Sequence, residues 1–286
     1  MKLTKRATTL TPESIDSLRS WLCGTGKSPH TAKGYCTDLK MFLADLGDPS
    51  PVGIEEELEE LGMAWLTKHR RTLAPRTTAR RLTSLREFCK WAGYPDMFLE
   101  YKAPDAGQAV PHPIPEGMAG VRRLLAATGN EKQQGLVALC GMAGLRLAEA
   151  LSVSSDDFKF KEGGDRSGEC TLRVRGKGDV TRYVPISEEC LRYVVPLIVR
   201  AWTAGGSIIP LNERFARRCI SDLGVRARLS RRIASHDLRA TFATALYNQT
   251  KDQRLVQVAL GHKSGRTTEG YIGVEAEAIR RGIDHL

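Results

Sequence analysis

Apolar positions recur at helical spacing in the first third of the chain. Tyr35, Leu39, Phe42, Leu43 and Leu46 form one stripe, and Leu82, Leu85, Phe88, Cys89 and Ala92 form another. Each segment has one face to bury, which predicts a small helical bundle. The pattern breaks after Lys102, where Pro104, Pro111, Pro113 and Pro115 stand among small residues and deny both helix and ladder hydrogen bonds. An interdomain linker is therefore expected over 103–115, between a helical domain at 1–102 and a second domain at 116–273. In the second domain residues 171–175 alternate apolar and basic, 176–179 supply turn residues, and 180–186 resume strand composition. That spacing predicts a β-hairpin with Lys177 at or near its tip. In the tail, 274–286, Ala276, Ile279 and Ile283 make one short apolar stripe, so a helix there needs a surface to pack on. The expected fold is mainly α with a small β-sheet: a helical domain followed by an α+β domain.

Charge narrows the class. Lysine and arginine exceed aspartate and glutamate by 43 to 33, a net charge of +10, so the long-range field favours a polyanion such as nucleic acid. Lys27, Lys33, Arg76, Arg80, Arg81 and Arg86 accompany the amino-terminal helices, and Thr77 and Thr78 could add hydroxyl contacts to phosphate oxygens. Taken singly, each reads first as an ordinary solvated surface residue and only second as a DNA contact. The acidic stretch at 55–60 would repel phosphate and is expected on a face turned away from it. No run approaches the roughly 18 apolar residues of a membrane span, and the first residues lead into Thr and Ser rather than an apolar signal core, so a cytoplasmic protein is expected. The seven cysteines show neither CxxC spacing nor paired histidines, which points to reduced, mostly buried thiols and no zinc site.

Five islands in the second domain carry candidate chemistry. In Gly144-Leu-Arg-Leu-Ala-Glu149 a glycine turn admits a helix and sets Arg146 and Glu149 three apart, within pairing distance. A guanidinium can bind two phosphate oxygens at once, and a carboxylate behind it would fix its rotamer. Lys177, on a flexible stem in the hairpin turn, could reach a leaving oxygen. In Ser235-His-Asp-Leu-Arg239, Ser235 is the expected helix N-cap, with His236 and Arg239 in the first turn, where anions bind well. Leu260-Gly-His262 ends a helix on glycine, and Tyr271 follows nine residues later. Taken singly, each is matched by a bland alternative: a surface ion pair, a solvated lysine, a capped helix, a packed tyrosine.

In order, the motifs resemble the tyrosine recombinases, the integrase family. The resemblance rests on GLRLAE at Arg146, RGKGDVTRYVPI at Lys177, SHDLRATFATAL at His236 and Arg239, LGH at His262, and the tyrosine of TTEGYIGV. The stretches SPHTAKGYCTDLKMFLADL and PRTTARRLTSLREFCKWAG look like that family's core-binding domain. The resemblance implies a helical core-type DNA-binding domain joined to a catalytic domain, and a metal-independent DNA strand transferase that needs no cofactor. It further implies that Tyr271 attacks a phosphodiester to leave a 3′-phosphotyrosyl link and a free 5′-hydroxyl. Arg146 and Arg239 would clamp the non-bridging oxygens and His262 would add a donor. His236 would accept the tyrosine proton or touch phosphate, and Lys177 would protonate the leaving oxygen. The partners implied are duplex core or attachment sites, a homotetramer on synapsed DNA with the tail docked in a neighbouring subunit, and a directionality factor.

Within the family, the chain begins close to its core-binding helices, which resembles a small phage integrase without an arm-binding domain, acting in the cytoplasm of a bacterial host. A Xer-type chromosome dimer resolvase is the alternative. A type IB topoisomerase uses the same kind of site on one duplex, and a catalytically silent DNA-binding regulator could share the fold.

Overall fold

The computed structural model describes residues 5–47, 51–105, 112–161, 169–176, 181–261 and 272–286, the side chains of 272–277 excepted. The chain divides into two compact units, Met1–Ala109 and Val110–Leu286.

The first unit holds β1 (Thr9–Leu10), α1 (Pro12–Gly24), α2 (Pro29–Leu46), β2 (Val52–Gly53), α3 (Leu58–Arg70) and α4 (Pro75–Ala92). The two short strands pair antiparallel, Leu10 opposite Val52. The helices start where the sequence supplies caps. Thr11 and Ser28 accept the amide hydrogen bonds of the first turns of α1 and α2, and Pro29 and Pro75 occupy first-turn positions that need no N–H. Of the expected stripes, Leu39, Phe42, Leu82, Leu85, Phe88, Cys89 and Ala92 are buried, while Tyr35, Leu43 and Leu46 are partly buried against them.

The second unit adds α5 (Gly117–Ala126), α6 (Glu131–Gly141), α7 (Leu147–Ser152), β3 (Phe158–Phe160), β4 (Cys170–Arg175), β5 (Thr181–Ile186), α8 (Glu188–Ala204), α9 (Glu213–Arg226), α10 (Ser235–Thr250), α11 (Gln253–Leu260) and α12 (Ile272–Ile283). Its sheet is antiparallel in the order β3-β4-β5, with Arg175 opposite Thr181 and Cys170 opposite Ile186. The hairpin is thus where alternation places it, and Lys177 lies outside the described residues. β3 is an addition: three residues are too few to show a period. After a polar first turn, helix α6 is apolar on every side, residues 135–141 all being buried, and α5, α8 and α10 pack around it.

A second, smaller cluster joins Phe242 and Leu246 of α10 to Ala259 and Leu260 of α11 and to Ile279 and Ile283 of α12. The tail helix therefore packs on its own unit here, with Arg280 donating to the Cys170 carbonyl across 3.3 Å. Six of the cysteines are buried and Cys23 is exposed. Among the described residues no helix is long and apolar enough to cross a membrane.

Gly144 links the main core to this smaller cluster. Its φ is +66°, and a Cβ there would lie 2.4 Å from Cδ1 of the fully buried Phe242. Gly144→Ala adds left-handed strain of about 1 kcal/mol to an overpacking penalty of about 1–3 kcal/mol. Urea titration should show a lowered midpoint; an unchanged midpoint contradicts the close approach.

Candidate active site

Three arginines of the second unit converge on the carboxylate of Glu149, which is 5% exposed. The left-handed turn at Gly144 reverses the chain after α6, and Arg146 then caps α7 with extended backbone angles. Its amide donates to Glu149 Oε2 and its Nη1 to Oε1, both across 2.8 Å. The expected pairing three residues apart is therefore present. The Arg146 side chain keeps 39% of its surface exposed while one edge is held from behind.

Arg182, on β5, forks onto the same carboxylate from the other side, with Nη1 to Oε1 at 3.0 Å and Nη2 to Oε2 at 2.8 Å. Its Nε donates to the Ala259 carbonyl at 3.3 Å. Arg239 comes from the second turn of α10 and is 7% exposed. Its Nη1 donates to the Gly144 carbonyl at 2.5 Å, its Nη2 donates to that of Leu260 at 2.7 Å, and Nη1 stands 3.8 Å from Glu149 Oε2.

The charges are lopsided, three guanidiniums around one carboxylate. Burial pushes the Glu149 carboxyl up, yet hydrogen bonds from Arg182 and from the Arg146 backbone, with the nearby positive charge, outweigh it and hold the group at about 2. Burial and the like charges of Arg146 and Arg182 lower Arg239 to about 10, Glu149 opposing them. The pocket therefore stays positively charged around neutral pH and lacks compensating charge, which suits an anion with several oxygens.

His236 is exposed at the start of α10. The cap there differs from the expectation. Ala234, not Ser235, is the N-cap, and Ser235 is buried as the first helical residue. Asp237 does the capping, its Oδ2 accepting the Ala234 amide at 2.8 Å. Arg231 donates to the same oxygen at 2.8 Å and to the carbonyls of His112 and Pro113 at 2.8 and 3.1 Å. The amide of Ile114 donates to Thr241 Oγ1 of α10 at 2.8 Å. Residues 112–114, the far end of the expected linker, are thus fastened to the helix that carries His236 and Arg239. Lys177, His262 and Tyr271 lie outside the described residues.

In the first unit, Lys33 and Arg76 are exposed, Thr77 is half-buried, and Lys27 pairs with Glu87 at 3.3 Å. Arg80 is partly exposed and is held by Asp38 at 2.6 Å, the carboxylate itself being 1% exposed and also accepting from Ser84. Three expectations are corrected. Arg81 is 4% exposed and lies 4.4 Å over the Trp65 ring, and the Thr78 hydroxyl is fully buried, so neither can meet a phosphate. Arg86 turns inward to the carbonyls of Phe98 and Tyr101. A signal for the first two was available: Thr78, Arg81, Leu82, Leu85 and Phe88 share one helical face. Nothing in the sequence singles out Arg182 and Arg231, since an arginine in a strand or a basic loop carries no mark of its partner.

Comparison with known proteins places these features. Residues 119–278 match the model of the phage integrase family, and residues 18–93 match that of the phage integrase N-terminal SAM-like domain. Tyrosine recombinase XerC of Neisseria meningitidis serogroup C is 27% identical over 281 residues, covering 91% of this chain and 90% of that protein. XerC of Chlamydia pneumoniae is 29% identical over 290 residues, covering 87% and 90%. In fold, the chain is similar to XerH recombinase in a post-cleavage complex with a palindromic difH substrate, with a TM-score of 0.68 at 17% identity over 96% of this chain and 81% of that one. A lambda integrase dimer bound to a COC′ core site gives 0.66 at 17% identity, over 94% and 95%.

The low value for Glu149 fixes a pH dependence. A carboxyl held at about 2 when folded, against 4.5 ordinarily, contributes roughly 3 kcal/mol of stability that is complete above the ordinary range and is lost as pH falls through it towards 2. Glu149→Gln should thus be less stable than the parent at pH 7, with the gap narrowing by pH 3. Denaturant midpoints at the two pH values test this, and a gap independent of pH refutes the ionised hub.

Proposed function

The chain belongs to the phage integrase family and is a site-specific tyrosine recombinase, and on that premise we propose that it exchanges DNA strands through a covalent link to Tyr271, held on a phosphate clamp built from Arg146 and Arg239. The convergence of these two arginines on buried Glu149 carries the proposal, because it leaves a preorganised, undercompensated positive pocket where a phosphodiester would gain charge in its transition state.

The Tyr271 oxygen attacks phosphorus and the bond to the 5′ oxygen breaks, giving a 3′-phosphotyrosyl link and a free 5′-hydroxyl. Attack by a 5′-hydroxyl from the partner duplex reverses the step and rejoins the strand. The phosphoester energy stays in the covalent link, so no nucleotide cofactor is consumed. Arg146 and Arg239 hold the non-bridging oxygens, with a further donor from His262. His236, exposed beside Arg239 on α10, accepts the tyrosine proton or contacts phosphate. Lys177 gives a proton to the departing 5′ oxygen. Lys27, Lys33, Arg76, Thr77 and Arg80 meet the duplex backbone from the helical first unit, and the net charge of +10 draws the protein to DNA. Four protomers on two synapsed sites perform exchange in the cytoplasm of a bacterial host, with a directionality factor setting its sense.

Two biological settings fit. The sequence around Tyr271 favours integration or excision of a phage or mobile element, whereas near-full-length similarity to XerC proteins favours chromosome dimer resolution. Sequencing the duplexes that become covalently joined to the protein in its host separates them: a site beside its own gene supports the mobile element, and a distant chromosomal site supports the resolvase.

Two substitutions test the chemistry. Tyr271→Phe should bind its site almost as the parent does and form no covalent adduct in a denaturing gel; a normal adduct moves the nucleophile elsewhere. Lys177→Ala should cut ordinary DNA slowly yet recover on a substrate whose 5′ bridging oxygen is replaced by sulfur, since a thiolate leaves without a proton. Absence of recovery would assign Lys177 to phosphate positioning.

A further inference from the structure

The Arg146 side chain is held by one carboxylate oxygen and its amide by the other, yet Glu149 is gripped again on both by Arg182. The two arginines differ in how they face the pocket. Arg146 leaves 39% of its side chain exposed, whereas Arg182 leaves 9%, and all three nitrogens of Arg182 donate to protein acceptors: both Glu149 oxygens and the Ala259 carbonyl. Arg182 thereby commits all three nitrogens to the protein, whereas Arg239, equally buried, commits its two terminal ones.

The same side chain touches segments that lead to other site residues. It stands on β5, five positions after Lys177, and is paired across the sheet with Val174. Its stem packs against the left-handed glycine that ends α11, a Cβ at Gly261 falling 2.6 Å from Arg182 Cδ, and His262 follows directly in sequence. Through Glu149 it reaches α7 and Arg146. One buried guanidinium thus ties the hairpin strand, the end of α11 and the start of α7 together.

We infer that Arg182 is a positioning residue for strand cleavage: by holding Glu149 ionised and in place from behind, it aims Arg146 at the scissile phosphate and locks the hairpin strand and the end of α11 around it. This rests on the phosphate clamp proposed above. Without Arg182, Glu149 keeps its place beside Arg146 and Arg239 but loses its bidentate partner, so Arg146 is drawn inward to compensate and its outward edge loses its aim. The low protonation range of Glu149 fits this role, since burial alone would raise it.

The test uses the full chain and a single-site, nicked suicide substrate, with DNA affinity and single-turnover cleavage measured separately for the parent, Arg182→Gln, Arg182→Lys, Glu149→Gln and the Arg182→Gln/Glu149→Gln double variant. Misaiming by about an ångström predicts cleavage slowed by about tenfold to a hundredfold in Arg182→Gln with affinity nearly unchanged. The acidic limb of its pH–rate profile should move to higher pH, and Arg182→Lys should recover part of the rate. The double variant should cut no more slowly than the worse single variant, because both changes disable one unit. Multiplicative losses in the double variant, or a loss in affinity as large as that in rate, would show that Arg182 meets the phosphate directly and would overturn the proposal. If Arg182→Gln does not fold, Arg182→Lys carries the same cycle. Acid unfolding gives a readout independent of activity: in Arg182→Gln or Arg182→Lys the loss of stability should begin at higher pH than in the parent, and an unshifted onset refutes the coupling. A parent protein that forms no adduct would defeat the recombinase chemistry, while the acid-unfolding comparison would still decide the coupling between Arg182 and Glu149.

Discussion

A buried carboxylate ringed by three guanidiniums is electrostatically incomplete, and much of the second unit serves to hold that imbalance in place. Glu149 neutralises one of the charges. The rest of the compensation comes from dipoles: Arg239 points both terminal nitrogens at main-chain carbonyls, and Arg182 spends its Nε on a third. Two of those carbonyls, Ala259 and Leu260, belong to the last turn of α11, the negative end of a helix. Dipoles tolerate cations without cancelling them, so the pocket keeps an unmet demand for negative charge. In the proposed clamp, a phosphodiester gaining charge between Arg146 and Arg239 would meet that demand with little reorganisation of the surrounding protein.

Rigidity at this point comes from where the cores meet. Helix α6, buried along residues 135–141, ends just before the Gly144 turn, and that turn packs on Phe242 and Leu260 from the smaller cluster. Site residues accordingly sit at the ends of elements, where backbone groups are free to serve as ligands: Arg146 at the cap of α7, His236 in the first turn of α10, and the carbonyl of Leu260 at the close of α11. The tail helix adds Ile279 and Ile283 to the same smaller cluster, so the element that follows Tyr271 in sequence shares a core with the element that carries Arg239.

How much of this could be read from sequence depends on whether a residue's partner is local. The pair of Arg146 and Glu149 is legible because helical spacing alone brings the two together, and the hairpin is legible because alternation and turn residues coincide. Arg182 has its partner 33 positions away, and strand alternation tells only which side of the sheet it faces. Ser235 illustrates a different failure, since a good cap residue stood beside a better arrangement, Asp237 reaching back from the third position to the Ala234 amide. Arg81 carries two conflicting signals: its charge suggests phosphate, while its place on the stripe with Leu85 and Phe88 puts it against Trp65. Periodicity is the stronger guide where the two conflict, because one arginine can be accommodated against an aromatic face, whereas rotating the helix would expose several large apolar side chains.

The ionisation pattern also constrains where protons can move. With Glu149 held near 2 and Arg239 near 10, neither changes charge across the range in which a cell works. Those two groups therefore contribute a constant charge to the pocket across that range. The proposed proton transfers are assigned to side chains outside this cluster; of these His236 is exposed to solvent on the same helix that carries Arg239. Residues 112–114 are fastened to that helix through Arg231, Asp237 and Thr241, at positions on either side of Arg239 in sequence. On the proposed chemistry, charge stabilisation therefore sits with the buried Glu149 and Arg239 and proton movement with the exposed His236.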